Sequence, residues 1–99
     1  MKASWNNQVI AEADKDQLIY IEGNWYFPSD SINKVFFNVS NHRTSCPWKG
    51  EASYYDVIVD GKTNDNAAWY YPNPLPGSIT RVRKDFTNYV AFWRGVTIE

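Results

Sequence analysis

Most of the chemistry in this chain sits between Thr44 and Tyr55, in T-S-C-P-W-K-G-E-A-S-Y-Y, where a thiol, an ammonium, an indole and two phenols accompany a proline and a glycine that bend the backbone. Cys46 is the only cysteine, and His42, Arg43 and Lys49 are close to it in sequence. Positive neighbours favour a thiolate, so Cys46 is a candidate reactive thiol. Covalent catalysis would also need a base, and His42, the only histidine, is the sole candidate. The same cysteine also fits a small buried apolar residue, because Pro47 pushes it into extended chain. Lys49, between Trp48 and Gly50 at a strand entrance, can aim its ammonium into a pocket and attract a carboxylate or phosphate. The alternative is a surface lysine stacked on Trp48, a contact of about 0.5–1 kcal/mol. Tyr26, Tyr54, Trp69 and Tyr71 fall on alternating positions of three expected strands, so one sheet face could gather their rings, as core or as the wall of a pocket for a planar ligand. The candidate catalytic residues are thus Cys46 and His42, and the candidate binding residues are Lys49, Cys46, Trp48, Tyr26, Tyr54, Trp69 and Tyr71. One cysteine makes neither a disulfide nor a four-cysteine metal site, and neither metal nor cofactor is expected.

The elements that must position these residues are strands. A chain of 99 residues is expected to be one domain over 1–99 with one core. Aromatic residues make up 17% of it, and flat or branched side chains suit a pleated surface, so the expected class is all-β. Lys and Arg number 10 against 11 Asp and Glu, which leaves no global excess of positive charge to draw in nucleic acid. The one basic cluster, Arg81, Arg83 and Lys84, reads as a solvated face. Met1 to Ala13 is too polar for a secretory signal and no stretch nears the ~20 apolar residues that span a bilayer, so a cytoplasmic, membrane-free protein is expected. Asn38-Val39-Ser40 matches a glycosylation sequon by chance.

In order along the chain, Lys2 to Trp5, Val9 to Ala13, Leu18 to Glu22 and Trp25 to Phe27 read as short strands of a meander. Asn6-Asn7, Asp14 to Asp16 and Gly23-Asn24 are its turns. Pro28 ends the meander, a single helical turn over Asp30 to Asn33 follows, and Val35 to Val39 has the density of a central strand. Ser40 to Pro47 lacks hydrophobic periodicity and is expected to be a loop. From Glu51 the alternation is clear, with Ala52, Tyr54, Asp56 and Ile58 on one face and Ser53, Tyr55, Val57 and Val59 on the other. Asp60-Gly61 is the strongest hairpin signal, and a bulge near Asn64 to Asn66 would reconcile the polar return strand with the apolar run Ala67 to Tyr71. Pro72, Pro74 and Pro76 make an extended segment, Ser78 can cap a helical turn over Ile79 to Lys84, and Tyr89 to Trp93 closes the sheet. About seven to nine short strands with one or two helical turns make a compact sheet-on-sheet or barrel-like domain.

The string T-S-C-P-W-K-G-E-A-S-Y-Y, preceded by W-Y-F-P-S-D-S-I and followed by A-A-W-Y-Y-P-N-P-L-P and Y-V-A-F-W, resembles the bacterial family known as domain of unknown function 427 over nearly the whole chain. The resemblance implies a small single-domain β protein of the β-tent or Mss4-like kind and no established reaction. It also brings a nucleotidyltransferase-like label, which the residues support poorly. Such an enzyme needs a phosphate-cradling glycine loop or paired acids on a metal, whereas Gly50 stands alone and Asp14-Lys15-Asp16 sits in an expected surface turn. β-tent relatives often hold zinc in two Cys-x-x-Cys knuckles, and with one cysteine here ring packing must take that role.

The leading expectation is a domain that binds a small planar or anionic molecule in an aromatic pocket walled by the C-P-W-K-G loop. The alternatives are a protein-interaction or structural domain, homo-oligomers included, and an enzyme using Cys46 with His42 or a nucleotidyltransferase-like activity. Single-stranded nucleic acid comes last, because stacking rings are present without a basic groove.

Overall fold

Three two-residue turns, each with both residues at positive φ, fold the strands back on themselves in the computed structural model, which describes residues 1–99. Asn6-Asn7 (φ 51° and 64°) joins β1 (Lys2–Trp5) to β2 (Gln8–Glu12), and Glu22-Gly23 (51° and 84°) joins β3 (Ile19–Ile21) to β4 (Asn24–Tyr26). After β5 (Phe37–Cys46), Asp60-Gly61 (54° and 76°) joins β6 (Gly50–Val59) to β7 (Lys62–Tyr70). Left-handed conformations at both central positions define the type I′ turn, whose twist matches the strands it connects. Helix α1 (Pro76–Val82), β8 (Val90–Phe92) and β9 (Thr97–Ile98) complete the chain. The strands form three antiparallel sheets, ordered β2-β1-β9, β3-β4 and β5-β6-β7-β8. The all-β class with a few helical turns is thus as the sequence predicts.

The four-stranded sheet is covered on both faces. Val57 and Val59 pack with Phe37, Ala68, Val90 and Phe92 against Ala3, Ile10, Ala11 and Phe27, which come from the β1-β2 side and the chain after β4. On the other face Ala52, Tyr54 and Tyr71 pack with Ile19, Ile21 and Tyr26 of the β3-β4 hairpin and with Phe86. The alternation expected from Glu51 onward therefore divides the two cores as read.

Two expectations for the middle of the chain are corrected. Val35 does not begin a central strand: Lys34–Phe36 is a 3₁₀ turn, with Asn33 Oδ1 accepting from the Val35 N–H. Val35 and Val39 are 77% and 71% exposed. The strand starts at Phe37 and lies at the sheet edge, and of its residues only Phe37 and Ser40 are buried. Ser40 to Cys46 is strand rather than loop, paired with β6 from Arg43↔Ser53 to Cys46↔Gly50. Its side chains are mostly exposed, so no apolar periodicity marks it. The helical turns also move, to Ser29–Ser31 and to α1 starting at Pro76, where a proline suits the first helical position. Bond formation between Lys2 and Glu99 draws in β9, a strand too short to show in the sequence.

The expected bulge in β7 is present, between Tyr55↔Ala68 and Val57↔Asn64. Asn66 adopts φ 55° there, its N–H donates to Asp56 Oδ1 at 2.8 Å, and Ser40 Oγ donates to its Oδ1. Asp56, polar in an otherwise apolar strand, is therefore the acceptor for the bulge amide. Trp93 Nε1 donates to the Asn66 carbonyl, tying the end of β8 to the same point. Asn66→Ala loses the Ser40 bond and puts a Cβ residue with no local hydrogen bonding at positive φ, and it should cost about 1–3 kcal/mol in urea unfolding. Asn66→Gly, which tolerates the backbone, should cost less. Equal losses for the two variants would mean that the backbone conformation is not what Asn66 supplies.

Candidate functional site

Cys46 pairs with Gly50, so Pro47, Trp48 and Lys49 form a three-residue connection between β5 and β6. Gly50 sits at φ 110°, and a Cβ there would meet the Asn73 carbonyl at 3.4 Å and Leu75 at 3.5 Å. The positive φ is what calls for a glycine here, since the Cβ contacts would be ordinary van der Waals ones. The Lys49 carbonyl accepts from the Leu75 N–H at 3.0 Å, which ties the proline segment across this connection.

These constraints turn the Lys49 side chain inward, so that the residue is 7% exposed. Its Nζ donates to Glu22 Oε1 at 2.6 Å, the only ion pair in the molecule, and the Glu22 side chain is 54% exposed at the tip of the β3-β4 hairpin. Nζ also lies 5.3 Å from the ring centroids of both Trp48 and Tyr71. The Arg81 guanidinium stacks on the Trp48 ring at 4.4 Å. Tyr26, fully buried, accepts from Trp69 Nε1 at 3.0 Å and meets the Trp69 and Phe86 rings edge-on.

The electrostatics follow from this packing. Burial works against the Lys49 charge, but its hydrogen bond to Glu22, with Tyr26 and Tyr71 beside it, outweighs burial and raises its pKa above the ordinary lysine value. The hydrogen bond from Lys49 lowers the Glu22 carboxyl, and the Trp48 indole and Arg81 act in the same direction. Burial raises the Tyr26 phenol, and burial with the neighbouring Tyr26 pushes Tyr71 up to about 12. At neutral pH the cluster therefore holds a charged lysine, a charged glutamate and two neutral phenols. None of these is poised as a general base or an amine nucleophile.

The expected binding residues are gathered: Tyr26, Tyr54 and Tyr71 lie in one buried cluster, with Cys46, Trp48 and Trp69 packed against it. Cys46 and His42 are not brought together. Four residues of strand separate them by roughly 13 Å at an ordinary rise. The His42 ring instead packs on Tyr54 with centroids 4.6 Å apart. No group of three or more His, Cys, Asp or Glu side chains could hold a metal ion. Four surface hollows are present, and the largest, about 560 Å³, lies between Asp16, Asp30 and Lys84. None of the four is lined by the gathered residues. The space at Lys49 is closed, and Glu22 and the rings close it.

Glu22 and Arg81 are the two participants that the sequence expectations missed. Placing the β3-β4 turn at Gly23-Asn24 put Glu22 inside a strand. Taking Gly23 as the second turn residue instead sets Glu22 at the tip, where a charged side chain can reach another loop.

The pair has a pH signature. Because the folded Glu22 pKa is lowered, its contribution to stability is complete above the unfolded value of about 4.3 and is lost as pH falls through the lower folded value. Lys49 has the opposite sign: its contribution is complete below the unfolded lysine pKa and fades only in strong alkali. Urea midpoints from pH 6 down to pH 2 should therefore fall more steeply in the wild type than in Glu22→Gln. Parallel curves would show that the pair does not contribute to acid sensitivity.

No curated protein matches the chain. No helix is long and apolar enough to cross a membrane. The family model described as Domain of unknown function (DUF427) matches residues 1–98, and the chain belongs to that family.

Proposed function

We propose that the Lys49 end of the central sheet binds a small anionic molecule with a planar body. Its anionic group is held by the Lys49 ammonium and its body lies against the half-buried Trp48. One observation carries this reading: a buried ammonium has as its only anionic partner a carboxylate that is itself 54% exposed on a hairpin tip. The two ends of the pair are not equally committed. Glu22 can leave for water with little loss of solvation, whereas Lys49 cannot, so an incoming anion meets a cation that is already desolvated and fixed. Electrostatic attraction is strongest under those conditions.

Binding is favoured over catalysis because the surrounding phenols stay protonated and the lysine stays charged. Nucleotidyl transfer is not favoured either: Asp14 and Asp16 are exposed around a surface 3₁₀ turn, away from this cluster. A second reading, docking of a protein partner, has its own support. Trp93 is 42% exposed, lies 5.6 Å from the Trp69 ring and 6.5 Å from Tyr54, and gives its N–H to Asn66, leaving a ring surface with no polar demand.

Thermal shifts with acetate, benzoate and inorganic phosphate at fixed ionic strength test the first reading. A ligand at ten times its Kd adds about 1.4 kcal/mol, or several degrees in Tm for a chain of this size. Lys49→Met should abolish the shift while the variant still folds, since its partner Glu22 can turn into solvent. A shift that survives in Lys49→Met places the anion elsewhere, and no shift with any of the three anions removes the reading.

A further inference from the structure

Building on Lys49 as the anion anchor, we propose that the Glu22 side chain is the chain's own occupant of a carboxylate-recognition site, and that the ligand displacing it is a carboxylate rather than a phosphate. The first support is where Glu22 stands. Of the three type I′ turns that join paired strands, two carry Asn-Asn and Asp-Gly, residues suited to positive φ, whereas the third opens on Glu22 at φ 51°. Outside the hairpins Arg94-Gly95 makes a fourth such turn, and there the Arg94 guanidinium stacks on Trp93. A left-handed residue with a Cβ costs about 1–2 kcal/mol unless, like Asn or Asp, it bonds locally, and the Glu22 carboxylate bonds Lys49 instead. A residue that disfavours its own turn while aiming a carboxylate at a buried cation points to a role for that carboxylate.

The donors support the ligand class. One ammonium bonds a single oxygen of Glu22 at 2.6 Å, and no other side chain donates to that carboxylate. One side-chain donor is thus enough to hold the chain's own carboxylate here. Phosphate sites usually add a run of backbone N–H groups from a glycine-rich loop or a helix start, or a forked arginine. Arg81 stacks on the Trp48 ring and donates no hydrogen bond to Glu22. Only the tip of the hairpin need yield: Ile19, Ile21 and Tyr26 are buried and Phe27 is bridged to Val90, whereas the Glu22 side chain is 54% exposed and a Cβ on Gly23 would meet nothing nearer than the Tyr20 hydroxyl at 3.9 Å. Rotating the Glu22 side chain away exposes the ammonium while these core residues stay in place.

Glu22→Asn supplies a residue the turn prefers and withdraws the carboxylate; Glu22→Gln keeps the length of the side chain and serves if the first variant does not fold. The probes are sodium propionate, which is the glutamate side chain cut free, and inorganic phosphate at matched ionic strength, followed by calorimetric titration. If Glu22 fills the site nine-tenths of the time, its removal should tighten propionate about tenfold relative to wild type. Adding Lys49→Met to either variant should erase that binding, and phosphate should bind more weakly than propionate. Phosphate binding as tightly as propionate overturns the ligand class and leaves the anchor intact. Propionate affinity unchanged from wild type overturns Glu22 as occupant. Silence of both anions in every variant removes the anchor reading as well.

Discussion

A single desolvated charge, the ammonium of Lys49, constrains one end of this molecule. A buried ammonium without a partner would be strongly destabilising, and the chain meets the need with a carboxylate at 2.6 Å and two aromatic faces. Each supplier comes from a different place. Glu22 is on the β3-β4 tip, Trp48 is in the β5-β6 connection and Tyr71 follows β7. Arg81 of α1 stacks on Trp48 as well. One cation thus ties two sheets and the only α-helix together, and Gly50 supplies the positive φ with which the connection enters β6.

Elsewhere the sheets are joined by rings. On one face Phe27 meets Phe92 edge-on, Phe92 meets Phe37, Phe37 meets Tyr55, and Tyr55 stacks on Tyr70 at 4.6 Å. On the other face Tyr71 meets Phe86, Phe86 meets Tyr26, and Tyr26 meets Trp69. Edge-to-face pairs contribute about 0.5–1.5 kcal/mol beyond the area they bury, so a connected run of them can hold together sheets of two and three strands that would be marginal alone.

How far the sequence revealed this depends on which physical signal each residue carries. The I′ turns at Asn6-Asn7 and Asp60-Gly61, the Asn66 bulge and the two faces of β6 are local or periodic features, and local features can be read from spacing. Gathering Tyr26, Tyr54, Trp69 and Tyr71 required only alternation. The edge half of β5 escaped because backbone pairing holds it while its side chains face solvent, so burial leaves no trace in its composition. Arg43 also caps the bulge in that edge, donating to the Ser40 and His42 carbonyls, a role with no signature in spacing. Glu22 was missed through a one-residue shift of the turn, and in a two-residue hairpin one position separates a strand residue from a tip residue. The 27 positions between Glu22 and Lys49 then hid a pairing that only the tertiary fold creates.

Polar satisfaction explains why no ready-made cavity marks the site. No buried side-chain nitrogen or oxygen lacks a partner. A preformed pocket usually advertises itself by polar groups that wait for a ligand, and here each such group already has an intramolecular one: Trp69 with Tyr26, Tyr54 with Thr44, Lys49 with Glu22. These partnerships differ in how readily they can be exchanged. Trp69 and Tyr26 meet within the ring cluster, where separating them would strand a donor in apolar surroundings. Of the two members of the ion pair, Glu22 alone has water at its back. Displacement of that carboxylate is therefore the least costly exchange the cluster offers, and a ligand entering there would inherit a cation the fold has already desolvated.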